Sequence, residues 1–331
     1  MSGQNLHTQN STAESSRENP LYKMYLSVAV LGILILALPH FMSSFWVHTV
    51  TNVFIFGLYA VSFNLLLGYG GMLSFGHAAY FGIGGYAVAL LMKKTGLPMP
   101  LAFLGGPVAA AFFAGVFGIF CVRLKGIYFA MLTFAFQMLI HSVIFKWYRF
   151  TGGDDGIPGV FPPALIRSPV KYYYFTLVMV TIGLILIYMI VSSSFGYAMR
   201  AIRENPLRSQ YVGIDATLYR WSNFILAGFF AGLAGSLYAF SQNSVFPDWL
   251  FVSASAIPIF MTVFGGIEVF LGPFIGAAAY VLLETMITGF TRYWPMIMGV
   301  ILIFLVMLLP KGLVSLADKL SRSGREPLDI Q

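Results

Sequence analysis

Long apolar runs alternate along the chain with short polar or glycine-rich interruptions, and most runs approach the roughly 20 helical residues needed to cross a bilayer core. Ten stand out: Met24 to Met42, Val47 to Leu67, Leu73 to Met92, Leu101 to Val122, Ile127 to Trp147, Tyr172 to Ser192, Trp221 to Gln242, Trp249 to Phe264, Leu271 to Phe290 and Pro295 to Leu309. The pattern predicts an all-α integral membrane protein with about ten transmembrane helices, some of them broken. Gly70-Gly-Met-Leu-Ser-Phe-Gly-His-Ala-Ala-Tyr-Phe-Gly-Ile-Gly-Gly-Tyr86 sets glycines, a serine and a histidine inside an otherwise apolar stretch. Lipid offers no hydrogen-bond partners, so a broken helix persists at membrane depth only inside protein or beside a water-filled cavity. In transporters such breaks border the substrate route. Gly70, Gly71, Gly76 and Gly82 are therefore expected hinge or broken-helix positions.

A weaker echo pairs Tyr69-Gly-Gly-Met72 with Phe264-Gly-Gly-Ile267, which adds Gly265 and Gly266 to the expected breaks and fits a parallel repeat better than an inverted one. The run from Trp249 to Phe264 would rise only about 24 Å as straight helix, against a core of about 30 Å. With Pro258 inside, it is expected to be broken or extended at its outer end.

Composition sharpens the class. Hydrophobic residues make up 58% and charged residues 9% of the chain, against about a quarter charged in soluble domains, and the mean hydropathy is +0.81. The net charge of +7 lies in short clusters between apolar runs, which argues for span orientation and against a nucleic-acid surface. Placing both termini in the cytoplasm puts twelve of the 19 Lys and Arg residues inside. Residues 1–22 are polar and read as a disordered cytoplasmic tail, 23–313 as the membrane domain and 314–331 as a second cytoplasmic tail. The first run is too long for a signal peptide and is expected to be retained. The single cysteine, Cys121, excludes a disulfide framework and a cysteine-based metal site. No His, Asp and Glu cluster within the spans supports metal or acid–base chemistry, so neither a catalytic nor a metal site is expected.

Polar residues inside the spans are the candidate substrate path. Thr133, Gln137 and His141 stand at i, i+4 and i+8, one stripe on one helix face, which either lines the path or bonds to neighbouring helices. Asn64, Ser74 and His77 surround the first break, and Ser253 and Ser255 sit in the short eighth run. Glu284 is the only carboxylate deep in an apolar run; it reads either as a protonated structural donor or, with His141, as part of a proton-coupled secondary transporter.

Two loops are long. The outer one, Tyr148 to Lys171, is forced into turns by its Gly and Pro content and serves partner contact or plain connection. The inner one, 195–220, predicts a helix through Glu204, a break at Asn205-Pro206 and a second short helix ending at Gly213. Its Arg200, Arg203 and Arg208 either fix topology and meet anionic headgroups or belong to a docking knob.

Four motifs carry a resemblance: Gly71-Met-Leu-Ser-Phe-Gly-His-Ala-Ala-Tyr-Phe-Gly-Ile-Gly-Gly-Tyr86, Thr151-Gly-Gly-Asp-Asp-Gly-Ile157, Arg200-Ala-Ile-Arg-Glu-Asn205 leading to Val212-Gly-Ile214, and Leu226-Ala-Gly-Phe-Phe-Ala-Gly-Leu-Ala-Gly-Ser-Leu-Tyr238. In order and spacing, from about Val47 to Leu313, the chain resembles the LivM-type permease of branched-chain amino-acid ABC transporters. The resemblance implies a non-enzymatic permease domain over 23–313 in a bacterial inner membrane. It implies a second, LivH-type permease, two ATP-binding subunits and a periplasmic substrate-binding protein as partners, with ATP and Mg held by those partners and no cofactor in this chain. It also implies that Arg200, Arg203, Glu204, Asn205, Arg208 and Gly213 couple to the ATPase. The loop departs from the usual Glu-Ala-Ala…Gly signature, keeping Gly213 but offering Ser209-Gln-Tyr-Val before it. No Gly-x-x-x-x-Gly-Lys-Ser/Thr stretch occurs, so a phosphate cradle has to come from another subunit. Relatives of this type also carry urea and short amides. A self-sufficient secondary transporter or channel is the competing class.

Overall fold

The computed structural model describes residue 32 and residues 36–291, 293–308 and 312–313. The expected tails lie outside these residues, as does most of the run from Met24 to Met42. The chain divides between Val47 and His48. In the first unit, residues 36–41 are helical and Ser44 opens the next helix.

All nine expected runs from Val47 onward contain a helix. Helix α1 (Ser44–Asn64) passes into a π-helical turn, Leu65–Tyr69. It is followed by α2 (His77–Lys94), α3 (Met99–Cys121), α4 (Ile127–Lys146) and the short α5 (Tyr148–Thr151). Next come α6 (Pro169–Ser192), α7 (Ser194–Glu204), α8 (Pro206–Tyr211) and α9 (Ala216–Gln242). The last three are α10 (Val252–Gly265), α11 (Gly272–Thr288) and α12 (Trp294–Leu308). Among the described residues, five helices, α1 with its π-turn, α3, α4, α6 and α9, are long and apolar enough to cross a membrane, while α10 to α12 are apolar but shorter.

The centre is a close packing of α2, α3 and α9. Small residues on α9 make it possible: Gly228 faces Ala114, Gly232 faces Ala110, and Gly235 lies against the backbone of Phe81. Helices of a membrane protein approach through such small-residue seams, and a side chain at Gly235 would overlap main chain that cannot yield. Ser236 Oγ shares its proton between the Gly232 carbonyl of its own helix (2.8 Å) and the Gly84 carbonyl across the seam (3.3 Å). A second core joins α1 to α10, α11 and α12 through Val53, Ala60, Phe264, Ala277, Tyr280 and Met298. Large apolar side chains point outward on α4 and α6, among them Met131, Val178, Ile185 and Met189, as faces that meet lipid require.

The segment after α4 is more ordered than its composition predicts. Ile157–Pro158 (β1) pairs antiparallel with Ser244–Val245 (β2). Lys94 donates to the Arg149 carbonyl at 3.0 Å, and Lys93 donates to that of Pro158. Asp155 accepts from the Tyr148 hydroxyl at 2.9 Å, and this bond, with the carboxylate's charge, holds the phenol above its ordinary pKa. The loop is thereby fastened to α2 and to the turn after α9.

Candidate functional site

The first break begins where α1 loosens. At Leu65–Tyr69 the Gly70 amide reaches back five residues to the Leu65 carbonyl (3.1 Å), and the Met72 amide reaches back six to Leu66 (2.8 Å). π-Helical turns leave carbonyls shifted out of the α ladder and cluster at functional sites. Side chains answer them here: Asn223 of α9 donates to the Leu65 carbonyl at 2.7 Å, and Arg203 of α7 donates to that of Gly68. Gly71 follows with φ of 64°, a conformation glycine adopts without strain, and the stem of Arg203 covers it.

Residues 70–76 then run without helix until His77. Their amides are again met by side chains: Phe75 donates to Thr133 Oγ1 (3.2 Å), Gly76 to Ser74 Oγ (3.2 Å), and Ala78, in the first turn of α2, to Ser255 Oγ (3.1 Å). A helix start in the interior of a membrane protein leaves donors that only protein can satisfy, which explains why hydroxyls from two other helices converge here.

A further interruption precedes α10. A 3₁₀ turn at Pro247–Leu250 ends in extended Phe251 before the helix starts at Val252, so the short eighth run is supplemented at its start, as its length demands. Gln137 binds both interruptions. Its amide donates to the carbonyls of Leu250 (3.0 Å) and Phe251 (2.9 Å), and its carbonyl accepts from Ser255 Oγ (2.7 Å). One side chain of α4 thus ties the start of α10 and, through Ser255, the start of α2.

His77 sits fully buried, stacked on Tyr59 at 5.3 Å with Phe63 edge-on at 5.4 Å. Ser62 Oγ donates to the Tyr59 carbonyl (2.7 Å) and lies 2.9 Å from His77 Nε2. The one hydroxyl proton is thereby committed, so Nε2 is the protonated nitrogen and donates to Ser62. Nδ1, the bare acceptor, has no partner among the described residues. The histidine is a packed ring with Ser62 as its hydrogen-bond neighbour.

Of the eight expected path residues, Asn64, Ser74, His77, Thr133, Gln137 and Ser255 are buried in this structure, each within at least one hydrogen bond. His141 is half-buried between Phe145 and Phe251, and Ser253 is exposed. Among the hinge glycines, Gly76 abuts the backbone of Thr133, Gly82 the side chain of Leu250, and Gly265 the carbonyl of Gly272. Asn64 joins the first break to the last by donating to the Ile267 carbonyl at 3.3 Å. Glu284, half-buried on α11, has no basic partner among the described residues.

The loop at the opposite end from β1 folds as its sequence predicts. Asn205 caps α8, its Oδ1 accepting from the Arg208 amide at 3.0 Å. Gly213, with φ of 86°, ends it, while the Ile214 amide returns to the Ser209 carbonyl at 3.0 Å, the glycine-terminated helix stop. Met199 and Ile202 are buried, whereas Arg200, Arg203, Glu204 and Arg208 are exposed. Arg200 stands over the Tyr69 ring at 5.0 Å, so two arginines of α7 grip the π-turn.

The family described as the permease component of branched-chain amino acid transport systems matches residues 46–309. The chain belongs to that family. The permease is 27% identical over 324 residues to the LivM permease protein of the high-affinity branched-chain amino acid transport system of Salmonella typhimurium, covering 88% of this chain and 75% of the relative. It is 25% identical over 323 residues, with the same coverage, to LivM of Escherichia coli. A probable LivH permease protein of Methanocaldococcus jannaschii is 33% identical over 150 residues, 42% of this chain and 46% of that one. No solved structure matches.

Sequence reasoning did not find Ser62, Asn223 or the π-turn at the permease's first break. Asn223, an amide two residues into an apolar run, carried the one usable signal. Ser62 is unremarked until His77 is folded against it, and Leu65-Leu-Leu-Gly-Tyr69 is as compatible with α-helix as with π.

Proposed function

We propose that this permease is one of two membrane subunits of an ATP-driven importer and moves branched-chain amino acids delivered by a periplasmic binding protein. In this reading ten spans cross the bacterial inner membrane with both termini in the cytoplasm. A LivH-type permease completes the path, and two ATP-binding subunits, which hold the ATP and Mg, dock on the loop 195–220. A groove of about 440 Å³ on that loop, lined by Glu204, Asn205, Arg208, Ser209 and Val212, is the proposed docking surface. The substrate class comes from the relatives, whose transport systems are named for it.

The observation that carries the reading is the grip of α7 on the π-turn. Arg203 binds the Gly68 carbonyl and Arg200 covers Tyr69, so any force on the loop reaches the broken segment 70–76 through one layer of contacts. A self-sufficient secondary transporter has no need of such a loop. Reconstitution of the purified permease with and without its partner subunits tests it. Leucine uptake is expected only with the full set and ATP; uptake by the permease alone, driven by an ion gradient, would overturn it.

A further inference from the structure

Beside the first break lies a cavity of about 570 Å³, between the segment around Gly71 and Phe75, the α3–α4 loop and the start of α9. Two cations line it, Lys125 and Arg220, and no carboxylate does. Arg220 is half-buried, and its Nε is hidden from solvent without a hydrogen-bond partner among the described residues. A guanidinium Nε hidden from water without an acceptor is unfavourable, and an anion placed against it supplies one.

The remaining wall says what kind of anion. Leu73, Phe75, Leu124 and Ile127 line the cavity and are themselves 37%, 41%, 39% and 69% exposed. The apolar side therefore opens outward and continues along α4, where Met131 and Phe134 are also exposed. A small hydrophilic anion satisfies the cations and leaves this apolar exit uncovered. Lys125 lies just before α4 starts, and Arg220 one turn inside α9, which is headgroup depth for helices that end at a membrane surface. Basic pockets between spans bind anionic headgroups at that depth.

We propose that this cavity is a binding site for an anionic phospholipid, with its phosphate on Arg220 and Lys125 and its acyl chains along Ile127, Met131 and Phe134. The bound lipid touches the broken segment at Gly71 and Phe75, beside the Arg203 stem that packs on Gly71. Segment 70–76 is then held between the loop's arginine and a lipid, and transport depends on lipid charge. The site concerns the permease and its membrane whatever energy source drives transport.

The test uses the intact wild-type transporter in phosphatidylcholine nanodiscs carrying a trace of acyl-photoactivatable phosphatidylglycerol or phosphatidylcholine. The glycerol probe is expected to label Leu73, Leu124 and Ile127 about tenfold more than the choline probe. The double substitution Arg220→Gln, Lys125→Gln is expected to abolish that preference. Equal labelling by the two probes would overturn the proposal, since it is a wild-type measurement that no folding defect can mimic. So would cross-linking of the cavity to a partner subunit, which makes a protein carboxylate the counter-ion, or displacement of the probe by leucine, which makes it the cargo's carboxylate.

Discussion

At Tyr69-Gly-Gly-Met72 and at Phe264-Gly-Gly-Ile267 the chain leaves a helix, and the second glycine takes a positive φ, 64° at Gly71 and 109° at Gly266. The next helix starts six residues later in both cases, from 71 to 77 and from 266 to 272. What holds them differs. Around the first, backbone groups are answered by side chains of Thr133, Ser255, Asn223 and Arg203, drawn from four separate helices. Around the second, most bonds run backbone to backbone: Gly266 to Thr262 at 3.0 Å, Gly272 to Val269 at 3.0 Å and Leu313 to Phe264 at 2.8 Å, with Gly265 and Gly272 in direct main-chain contact and Asn64 adding a side-chain bond to the Ile267 carbonyl. Side-chain bonds exchange by rotation about χ angles, whereas packed main chain has to move as a body. The first break, held by more side-chain bonds, is therefore the more adjustable one and the second the more fixed corner, although the sequence pairs them as an echo.

The largest effect is expected at the fixed corner. Gly265→Val drives a branched side chain into the carbonyl of Gly272, where nothing flexible can yield. Overpacking costs about 1–3 kcal/mol and more where, as here, main chain cannot yield. The variant should fail to yield a monodisperse transporter by size-exclusion chromatography, while the same substitution at Gly213, whose surroundings are open, should leave the fold intact and strain only the loop. If Gly265→Val assembled normally, the corner would not be fixed and the contrast would fall.

Gln137→Leu removes three hydrogen bonds that join the starts of α2 and α10. At about 0.6 kcal/mol for an average interhelical bond in a membrane protein, the loss is about 2 kcal/mol, read as a lower unfolding midpoint of the purified transporter. Uptake should fall further than stability does, because Ser255 then loses the partner that aims it at the Ala78 amide. Arg203→Ala should leave folding and basal ATP hydrolysis in place and cut ATP-driven uptake by about tenfold, the equivalent of about 1.4 kcal/mol, in line with a charge-assisted hydrogen bond. Arg203→Lys, which still reaches a single carbonyl, should recover part of it. An unaltered ratio of transport to hydrolysis in Arg203→Ala would show that the grip on Gly68 carries no coupling.

Much of this was visible in the chain. Glycine pairs announced both breaks because few other residues turn out of a helix with positive φ. Asn205-Pro206 and Gly213 announced the loop because caps act within four residues of themselves. The stripe Thr133, Gln137, His141 was legible as polar and inward, but its partners were not. They are carbonyls and amides freed by interruptions elsewhere, 113 residues away between Gln137 and Leu250, and local pattern holds no record of them. The same limit hid the difference between the two breaks, since much of that difference resides in what other helices bring to the first.

The smallest predicted effect bears on His77, the residue at the first break most readily taken for chemistry. Ser62→Ala deletes the acceptor for Nε2, yet the ring stays clamped between Tyr59 and Phe63, so the expected loss is about 0.6 kcal/mol and uptake should change by less than about threefold. His77→Phe should behave similarly, because a ring of like shape keeps the stacking and the loss of Nδ1 removes a buried atom that has no partner. An adjustable break needs its neighbours to reorient; it does not need a proton carrier. If either variant abolished uptake while folding and ATP hydrolysis were unchanged, the histidine would be handling a proton or the substrate itself. The first break would then be a chemical site as well as a mechanical one, which is the one way in which it could differ from the second more than its hydrogen bonds indicate.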